Sequence, residues 1–181
     1  MDLFKERKYH IHVLGRTLEH LGVQMYKRRD IALAELVANS WDAGATKVNI
    51  TLPQLYNQVD SEISIIDNGI GMSEDEVQNL YLMVGRNRRK EELEQKKSRP
   101  IIGRKGIGKL AGFGIAKLMT VLTWQEKESI IFSLDIDELK KEAGTTEQVV
   151  IDGKIGPTPD GYDTKSGTMV KLKGLKHSTP I

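Results

Sequence analysis

Hydrophobic and polar residues follow two different periods along this chain, and the period changes at recognisable turn residues. Between residues 28 and 43 the apolar positions recur at helical spacing, at Ile31, Ala34, Val37, Ala38 and Trp41. This spacing predicts a helix that packs through those residues and ends at Gly44. Residues 47–52 and 62–66 instead alternate with a period of two, and each segment predicts a β-strand.

The second half of the chain continues the same alternation of elements. Ser73 is followed three residues later by Glu76, a capping-box pattern that predicts the start of a helix. A further helix is expected from Gly106 to about Lys117 and a short one over 137–142. Strands are expected over 118–124, 129–134, 148–151 and 168–173, with a turn-rich connection from 153 to 167. The elements together predict an α/β (α+β) two-layer sandwich, in which helices cover one face of a mixed sheet.

Length and composition narrow the class of protein. A chain of 181 residues is about one domain and is long enough for a sizeable core. The absence of Cys excludes disulfides and thiolate zinc sites and fits a reducing cytoplasm, so we expect a cytoplasmic protein. No signal peptide and no apolar run of about 18 residues is present, so we expect no membrane association. The four His residues show no metal-ligand spacing, although His10 and His12 alternate as if on one strand face. Trp124, like Trp41, is expected in the core.

Charge is small overall but unevenly distributed. The net charge of +2 does not indicate that the whole chain binds nucleic acid. Residues 85–109, however, contain ten Lys or Arg and three Glu, a local balance of +7. An isolated basic run is usually a solvated loop, but this one leads into a glycine-rich turn, which favours an anion site.

Three polar side chains share one face of the first predicted helix. Glu35, Asn39 and Asp42 lie at positions i, i+4 and i+7. Such a stripe can simply be the solvated face of an amphipathic helix. If the helix is largely packed, these groups need partners, and a hard cation and a water would supply them. A carboxylate in this place can accept a proton from an attacking water.

The second candidate motif follows the strand that ends near residue 66. The segment Asp67-Asn68-Gly69-Ile70-Gly71-Met72 is an ordinary tight turn when taken alone. A functional interpretation is also open. In it, the strand fixes the Asp67 carboxylate so that it accepts a hydrogen bond from a donor group on a planar ring. The two glycines would then leave room for that ring, and Met72 would pack against it or belong to the core.

The third candidate motif is the glycine-rich segment from Gly103 to Lys109. Backbone N–H groups at the helix start that it predicts attract phosphate, with Lys105 and Lys109 as charge partners. A P-loop would need Ser or Thr where Leu110 stands. A dinucleotide fingerprint through Gly106, Gly108 and Ala111 would need a strand directly before it. Glycines that serve close helix packing are a third possibility, with Gly112 and Gly114 included.

The three motifs together, in this order and spacing, resemble the ATP-binding fold shared by gyrase B, Hsp90, histidine kinases and MutL. The first motif resembles the N-box of the Hsp90 and MutL branch, the second its adenine-recognition box, and Gly167-Thr168 the remaining element. The resemblance covers residues 28–172 and implies a Bergerat-type ATP-binding fold. It also implies Glu35 as general base and Asn39 as the Mg²⁺ ligand. The residues implied to contact the nucleotide are Asn39, Asp67, Gly69, Gly71, Met72, Gly103, Lys105, Gly106, Ile107, Gly108, Lys109 and Thr168.

The family's activity follows as an expectation. The resemblance implies Mg-dependent ATP binding and hydrolysis, slow in an isolated domain, with closure of a lid at about residues 85–109. Arg86, Arg88 and Arg89 are candidate lid contacts to phosphate. ATP-gated homodimerisation is implied, with residues 1–27 as a possible contact and 28–181 as the ATP-binding domain. Relatives place a phosphate-contacting residue in a following domain, so we expect this chain to be the N-terminal part of a longer protein.

Two other functions remain open from the residues. A histidine-kinase-type module would pass phosphate to a partner, although Glu35 argues against it. A nucleotide-gated DNA or protein clamp would bind ATP with little hydrolysis, and the basic segment is compatible with it. The glycine segment looks more like Hsp90-type and MORC-type proteins than like MutL, which leaves the subfamily and the client open.

Overall fold

A single seven-stranded sheet organises the chain. The computed structural model describes residues 3–12, 29–55, 60–84, 100, 102–103, 108–143, 148–162 and 164–176. The strands are β1 (Lys5–His12), β2 (Val48–Thr51), β3 (Glu62–Asp67), β4 (Ala116–Gln125), β5 (Glu128–Asp135), β6 (Gln148–Pro157) and β7 (Ser166–Leu175). Their order in the sheet is β1-β6-β5-β4-β7-β3-β2.

Helices lie on one side of this sheet and complete the predicted α/β two-layer architecture. They are α1 (Arg29–Asp42), α2 (Glu74–Glu76) continuing into a π-turn (Val77–Tyr81), a 3-10 helix (Gly108–Gly114) and α3 (Ile136–Ala143). α1 and the 3-10 helix pack against each other. In the part of the chain that the structure describes, no helix is long and apolar enough to cross a membrane.

The fold class is confirmed, but the expectation of a mixed sheet is wrong in detail. All six pairings between the named strands are antiparallel. Among the described residues, the parallel contact is an isolated bridge between His12 and Met83. Neighbouring strands therefore run in opposite directions throughout the sheet, and β5 and β6 do so although α3 lies between them in the chain.

Both predicted helix boundaries at α1 and α2 are confirmed by their caps. Gly44 has φ +74° and its N–H donates to the Trp41 carbonyl over 2.9 Å, while Ala45 N–H donates to the Ser40 carbonyl over 3.0 Å. This pair of bonds is a Schellman motif, which satisfies the last carbonyls of α1. At α2 the Ser73 side chain accepts from Glu76 N–H, and the Glu76 side chain accepts from Ser73 N–H.

Two predicted boundaries are wrong, both at glycines. The helix expected to reach about Lys117 ends at Gly114, and β4 already begins at Ala116. The turn-rich connection expected from Gly153 begins later, because β6 continues to Pro157. A Cβ at Gly153 would lie 2.5 Å from Cε2 of Tyr9, so this glycine makes room for a ring within the sheet rather than for a turn.

The buried face of α1 also differs from the prediction. Its buried residues are Arg29, Ala32, Leu36 and Ser40. Ile31 and Trp41, predicted to be core, are 45% and 40% exposed, whereas Trp124 is buried as predicted. Apolar spacing alone cannot reveal this rotation, because two polar residues on the buried face have partners: Arg29 donates to the Lys176 carbonyl and Ser40 to Asp67.

The N-terminal strand β1 was not predicted. It pairs with β6 over its whole length and forms one edge of the sheet. Its outer edge is covered at two places. The Gln78 side chain bonds both the N–H and the carbonyl of His10, and His12 bonds the Leu82 and Val84 backbone. The described part of the N-terminal segment therefore belongs to the same sheet as the predicted motifs.

Candidate functional site

The first two predicted motifs meet at a buried carboxylate. Asp67 is the last residue of β3 and is 7% exposed. Its Oδ2 accepts a hydrogen bond from the Ser40 hydroxyl of α1 over 2.8 Å, and its Oδ1 accepts from Gly69 N–H over 2.9 Å. The carboxylate is thus held from the helix and from its own turn, in one orientation.

Burial sets the protonation behaviour of this carboxyl group. Desolvation raises the pKa of Asp67 above its ordinary value of 3.8, because burial disfavours the charged form. Hydrogen bonds from Gly69, Ser40 and the Thr168 backbone act in the opposite direction, since they favour the carboxylate. The structure therefore holds the Asp67 carboxylate as a hydrogen-bond acceptor. Its burial disfavours the negative charge, and hydrogen bonds from fixed donors partly offset that cost.

Two strands bring further hydroxyl groups to this part of the sheet. Thr168 of β7 is in register with Asp67 on one side and with Thr123 of β4 on the other. The two threonine hydroxyl oxygens are 3.3 Å apart, and Thr123 also accepts from Met72 N–H over 2.8 Å. Met72 itself is half-buried and packs against the main core. One buried hydroxyl group, on Thr123, and one half-buried hydroxyl group, on Thr168, consequently lie on the two strands that follow Asp67 across the sheet.

The glycines of the second motif allow close backbone approach. A Cβ at Gly69 would lie 2.9 Å from the Ala43 carbonyl oxygen, and the next residue, Ile70, donates its N–H to that same oxygen over 3.0 Å. Gly71 has φ +67°, and a Cβ there would overlap the Trp124 carbonyl. Gly71 therefore needs to be glycine both for its backbone conformation and for space.

The third motif reaches the helix face that carries Glu35 and Asn39. A Cβ at Gly108 would lie 2.8 Å from Glu35 Oε2 and 3.6 Å from Asn39 Oδ1. Both side chains are half-buried. The glycine backbone therefore lies directly against the predicted catalytic and metal-binding groups, and a side chain at this position would displace them.

Asp42, to which the sequence assigns no chemical role, binds backbone. Its Oδ1 accepts from Ile102 N–H and its Oδ2 from Gly103 N–H, each over 2.9 Å. The neighbouring Trp41 donates its indole N–H to the Pro100 carbonyl over 3.1 Å. The end of α1 thus holds the start of the glycine segment.

Lys109, predicted to partner phosphate, bonds to backbone carbonyls in this structure. It is 4% exposed, and its ammonium donates to the Leu80 carbonyl over 2.9 Å and to the Met83 carbonyl over 2.7 Å. The same nitrogen lies 5.7 Å from the centre of the Tyr81 ring. The structure therefore joins Lys109 to the end of the π-turn. Lys105, Gly106, Ile107 and the candidate arginines Arg86, Arg88 and Arg89 lie outside the described residues.

Comparison with known proteins identifies the family of this chain. Residues 26–168 match the family model described as histidine kinase-, DNA gyrase B-, and HSP90-like ATPase. The chain belongs to this ATPase family. The match begins just before α1 and ends at Thr168, so it includes all three motifs and the strand position beside Asp67.

Relatives of this chain include a restriction enzyme and chaperones. The candidate type II restriction enzyme HgiDII of Herpetosiphon aurantiacus is 34% identical over 162 residues, which is 90% of this chain and 25% of that protein. The chaperone protein HtpG of Alcanivorax borkumensis is 32% identical over 65% of this chain and 22% of its own length. HtpG of Pasteurella multocida is 32% identical over 67% of this chain and 24% of its own length. The chain spans about a quarter of the length of these relatives.

Sequence reasoning missed two side chains of this site, Ser40 beside Asp67 and Thr123 beside Met72 and Thr168. Ser40 and Thr123 are both buried and both bond to the second motif or its neighbour. A signal for each exists in the sequence. Ser40 lies on the same helical face as Ala32 and Leu36, and Thr123 interrupts the apolar run of β4. A hydroxyl group inside a buried pattern needs a partner, and here the partners belong to the site.

The residues present fit the magnesium ion that the family implies. Mg²⁺ prefers oxygen ligands and usually keeps several waters, with only one or two protein ligands and phosphate oxygens. Asn39 offers an amide oxygen on the same side as the Glu35 carboxylate and the Gly108 backbone. In the described part of the chain, no cluster of three His, Cys, Asp or Glu side chains could hold a metal ion by itself. The donor set therefore suits a cation that is bound together with phosphate.

Proposed function

We propose that this domain binds Mg·ATP and hydrolyses its terminal phosphoanhydride bond. The observation that carries the proposal is the contact of Gly108 with Glu35 and Asn39. It joins a glycine backbone suited to phosphate, a carboxylate suited to proton transfer and an amide oxygen suited to Mg²⁺. The family match supports ATP as the ligand.

The adenine would occupy the other end of the site. Asp67 would accept a hydrogen bond from the adenine amino group, and Gly69 and Gly71 would leave space for the ring, beside Met72. Thr168 and Thr123 would hold the carboxylate and an intervening water. Support comes from the burial of Asp67, which makes a lost or added hydrogen bond energetically significant. The phosphates would then extend toward Gly103 and Gly108.

Hydrolysis requires a positioned water and a base. The water oxygen attacks the γ-phosphorus, its proton passes to the Glu35 carboxylate, and ADP leaves as the bond to the β-γ bridging oxygen breaks. When bound, Mg²⁺ held by Asn39 would neutralise charge on the phosphate oxygens. General-base catalysis contributes about 10²–10⁴ in rate, while most of the effect in phosphoryl transfer is positioning and charge stabilisation. Glu35 would therefore be necessary without being sufficient.

We further infer that this domain works as part of a larger protein. ATP would close the basic segment at about residues 85–109 over the nucleotide and gate homodimerisation, with residues 1–27 as a possible contact. Turnover by the domain alone would be slow. The relatives' names indicate two settings, restriction and chaperoning, and the mechanism would serve a DNA or protein client in either. A chain of 181 residues without Cys fits the cytoplasm, where ATP is supplied.

The test combines binding and turnover. Calorimetric titration with a non-hydrolysable ATP analogue and Mg²⁺ should show binding by the wild type and its loss in Asp67→Asn. Glu35→Gln should still bind the analogue but release labelled phosphate at least about 100-fold more slowly. Glu138→Gln, an exposed position on α3, is the matched control and should behave as wild type.

Each other outcome identifies a different function. Label on the protein rather than in solution would indicate phosphotransfer to a side chain. Binding without phosphate release in the wild type would indicate a nucleotide-gated clamp. Equal binding by wild type and Asp67→Asn would show that nucleotide binds elsewhere and would overturn the proposed site.

A further inference from the structure

Two charged side chains hold the two described ends of the glycine segment. At its start, both oxygens of Asp42 accept backbone N–H groups, those of Ile102 and Gly103. At its end, the ammonium of Lys109, next to Gly108, donates to two backbone carbonyls. In these bonds both side chains contact backbone groups and not other charged side chains. They can therefore fix the position of the backbone.

The position of Asp42 on α1 is electrostatically unfavourable unless its carboxylate binds backbone N–H groups. It is the last residue of α1, where the helix dipole is negative and a cation would be preferred. Two charge-assisted hydrogen bonds from consecutive N–H groups compensate for that position. A Cβ at Gly103 would lie 2.8 Å from Asp42 Oδ2, so the backbone and the carboxylate are in close contact. Asp42 thus departs from the preference for a cation at a helix C-terminus and gains specific backbone partners. Departures of this kind are expected at functional residues.

The placement of Lys109 follows the same logic with the opposite charge. Lysine is almost never fully buried unless it is paired. Here Leu80 is part of the π-turn and Met83 follows it, so the ammonium binds carbonyls at the C-terminal end of that turn. Cations stabilise helix C-termini by this kind of bond. Lys109 therefore joins the 3-10 helix that begins at Gly108 to the π-turn, and two of its N–H donors bond to these carbonyls.

We propose that Asp42 and Lys109 are positioning residues for ATP. They fix Gly103 and Gly108 against α1 and the π-turn, and through this placement they set the affinity for the triphosphate without contacting it. For Lys109 this role replaces the direct phosphate contact predicted from the sequence. The inference rests on the proposed function, because it assumes that the glycine segment binds phosphate.

The decisive measurement is the ratio of affinities for a triphosphate and for a nucleoside. Titrations of wild type, Asp42→Asn and Lys109→Met with Mg²⁺ and a non-hydrolysable ATP analogue are compared with titrations with adenosine. Each variant should lose roughly tenfold or more in affinity for the analogue, while adenosine affinity stays within about twofold. Asp42→Glu, which keeps the carboxylate, should recover most of the loss. Asp160→Asn and Lys127→Met, at exposed positions, are matched controls for the removed charge and should bind as wild type.

A second measurement separates positioning from direct contact. Hydrogen exchange in the nucleotide-free protein should show faster exchange of the Ile102 and Gly103 amides in Asp42→Asn. Lys109→Met should lower the melting temperature of the nucleotide-free protein, since it leaves two carbonyls without their donor. A Lys109 that contacts phosphate directly would instead weaken analogue binding without lowering that temperature, and this result would overturn the role proposed for it.

The remaining outcomes are also decisive. Equal loss of analogue and adenosine affinity would show a general structural role and overturn the inference. If the wild type binds the analogue but neither variant changes the ratio of analogue affinity to adenosine affinity, the positioning role would be overturned and the proposed function would stand. A wild type that binds no analogue would overturn the proposed function, and the positioning role would fall with it. Because Asp42 is half-buried and not in the core, Asp42→Asn keeps the test available if Lys109→Met does not fold.

Discussion

The Ser40 hydroxyl donates a hydrogen bond to Oδ2 of Asp67 over 2.8 Å, and both side chains are buried. This bond joins the middle of the site, on α1, to the end of β3. One position along the chain from Ser40 lies Asn39, so the same turn of helix faces the predicted metal position and the predicted adenine position. The distance between the two ends of the site is therefore set by a rigid helix, which suits precise placement of a nucleotide.

We expect Ser40→Ala to weaken both stability and adenine binding. The substitution leaves a buried carboxylate without one of its donors, which costs about 1–3 kcal/mol in the free energy of unfolding. Loss of the bond also raises the pKa of Asp67 further, because that bond favours the charged form. Urea unfolding and calorimetry with adenosine measure the two effects. Ser133→Ala, at an exposed hydroxyl of β5, is the control, and an equal change in both variants would contradict the prediction.

Stability should depend on pH through Asp67. Its folded pKa lies above the ordinary value of 3.8, so the protonated form is favoured on folding. The stabilisation is fully present below pH 3.8 and is lost as the pH rises through the raised pKa. As the pH rises from 3.8 to the raised pKa of Asp67, the free energy of unfolding of the wild type should therefore fall relative to that of Asp67→Asn. Above that pKa, the two curves of unfolding free energy against pH should run parallel. Urea unfolding from pH 3.5 upward checks this, and parallel curves throughout would show that burial does not shift the group.

Gly71→Ala should be strongly destabilising. The new Cβ would overlap the Trp124 carbonyl, and the residue would also need φ +67°. Gly161 provides a matched control, with φ +93° and no atom within 4 Å of a Cβ. Gly161→Ala should cost about 1–3 kcal/mol for the backbone conformation alone, and Gly71→Ala distinctly more. Similar unfolding free energies for the two variants would mean that the backbone near Trp124 adjusts.

Gly108→Ala should reduce turnover while leaving the fold intact. Its Cβ would lie 2.8 Å from Glu35 Oε2, the far end of a flexible side chain that can move at little cost. The carboxylate would then leave the position of a general base, and we expect phosphate release to fall by about 10²-fold. The melting temperature and the affinity for adenosine should stay near wild type. A large loss of adenosine affinity would contradict this interpretation, because the adenine end is remote from Gly108 in the proposed pose.

Part of this architecture follows from local patterns. The Glu35–Asn39–Asp42 spacing puts three polar groups on one helical face, and in the structure Glu35 and Asn39 lie by Gly108 and Asp42 by Gly103. The capping box at Ser73 and the helix end at Gly44 are likewise local, because each depends on bonds within about five residues. Strand positions followed from alternation for the same reason.

Other features depend on residues far apart in the chain. The buried face of α1 was wrong in the prediction because Ser40 is paired with Asp67, 27 positions away. The role of Gly153 depends on the Tyr9 ring. The environment of Lys109 depends on the carbonyl of Leu80, in a π-turn that has no sequence signature, and on the carbonyl of Met83 just after it. Alternation along β1 was too weak a signal to predict the strand, which exists because β6 and the Gln78 side chain pair with it.

The sequence by itself determined most of the order of elements after β1, the three motifs and the family to which they belong, since these depend on spacing along the chain. Tertiary structure decided which polar groups are held by protein and which face the site. Asp42 and Lys109 show the difference: the sequence assigns Asp42 no chemical role and Lys109 a phosphate partner, yet in the structure both side chains bind backbone. The physical reason is that a buried charge must find partners wherever the fold provides them, and the sequence does not record that place.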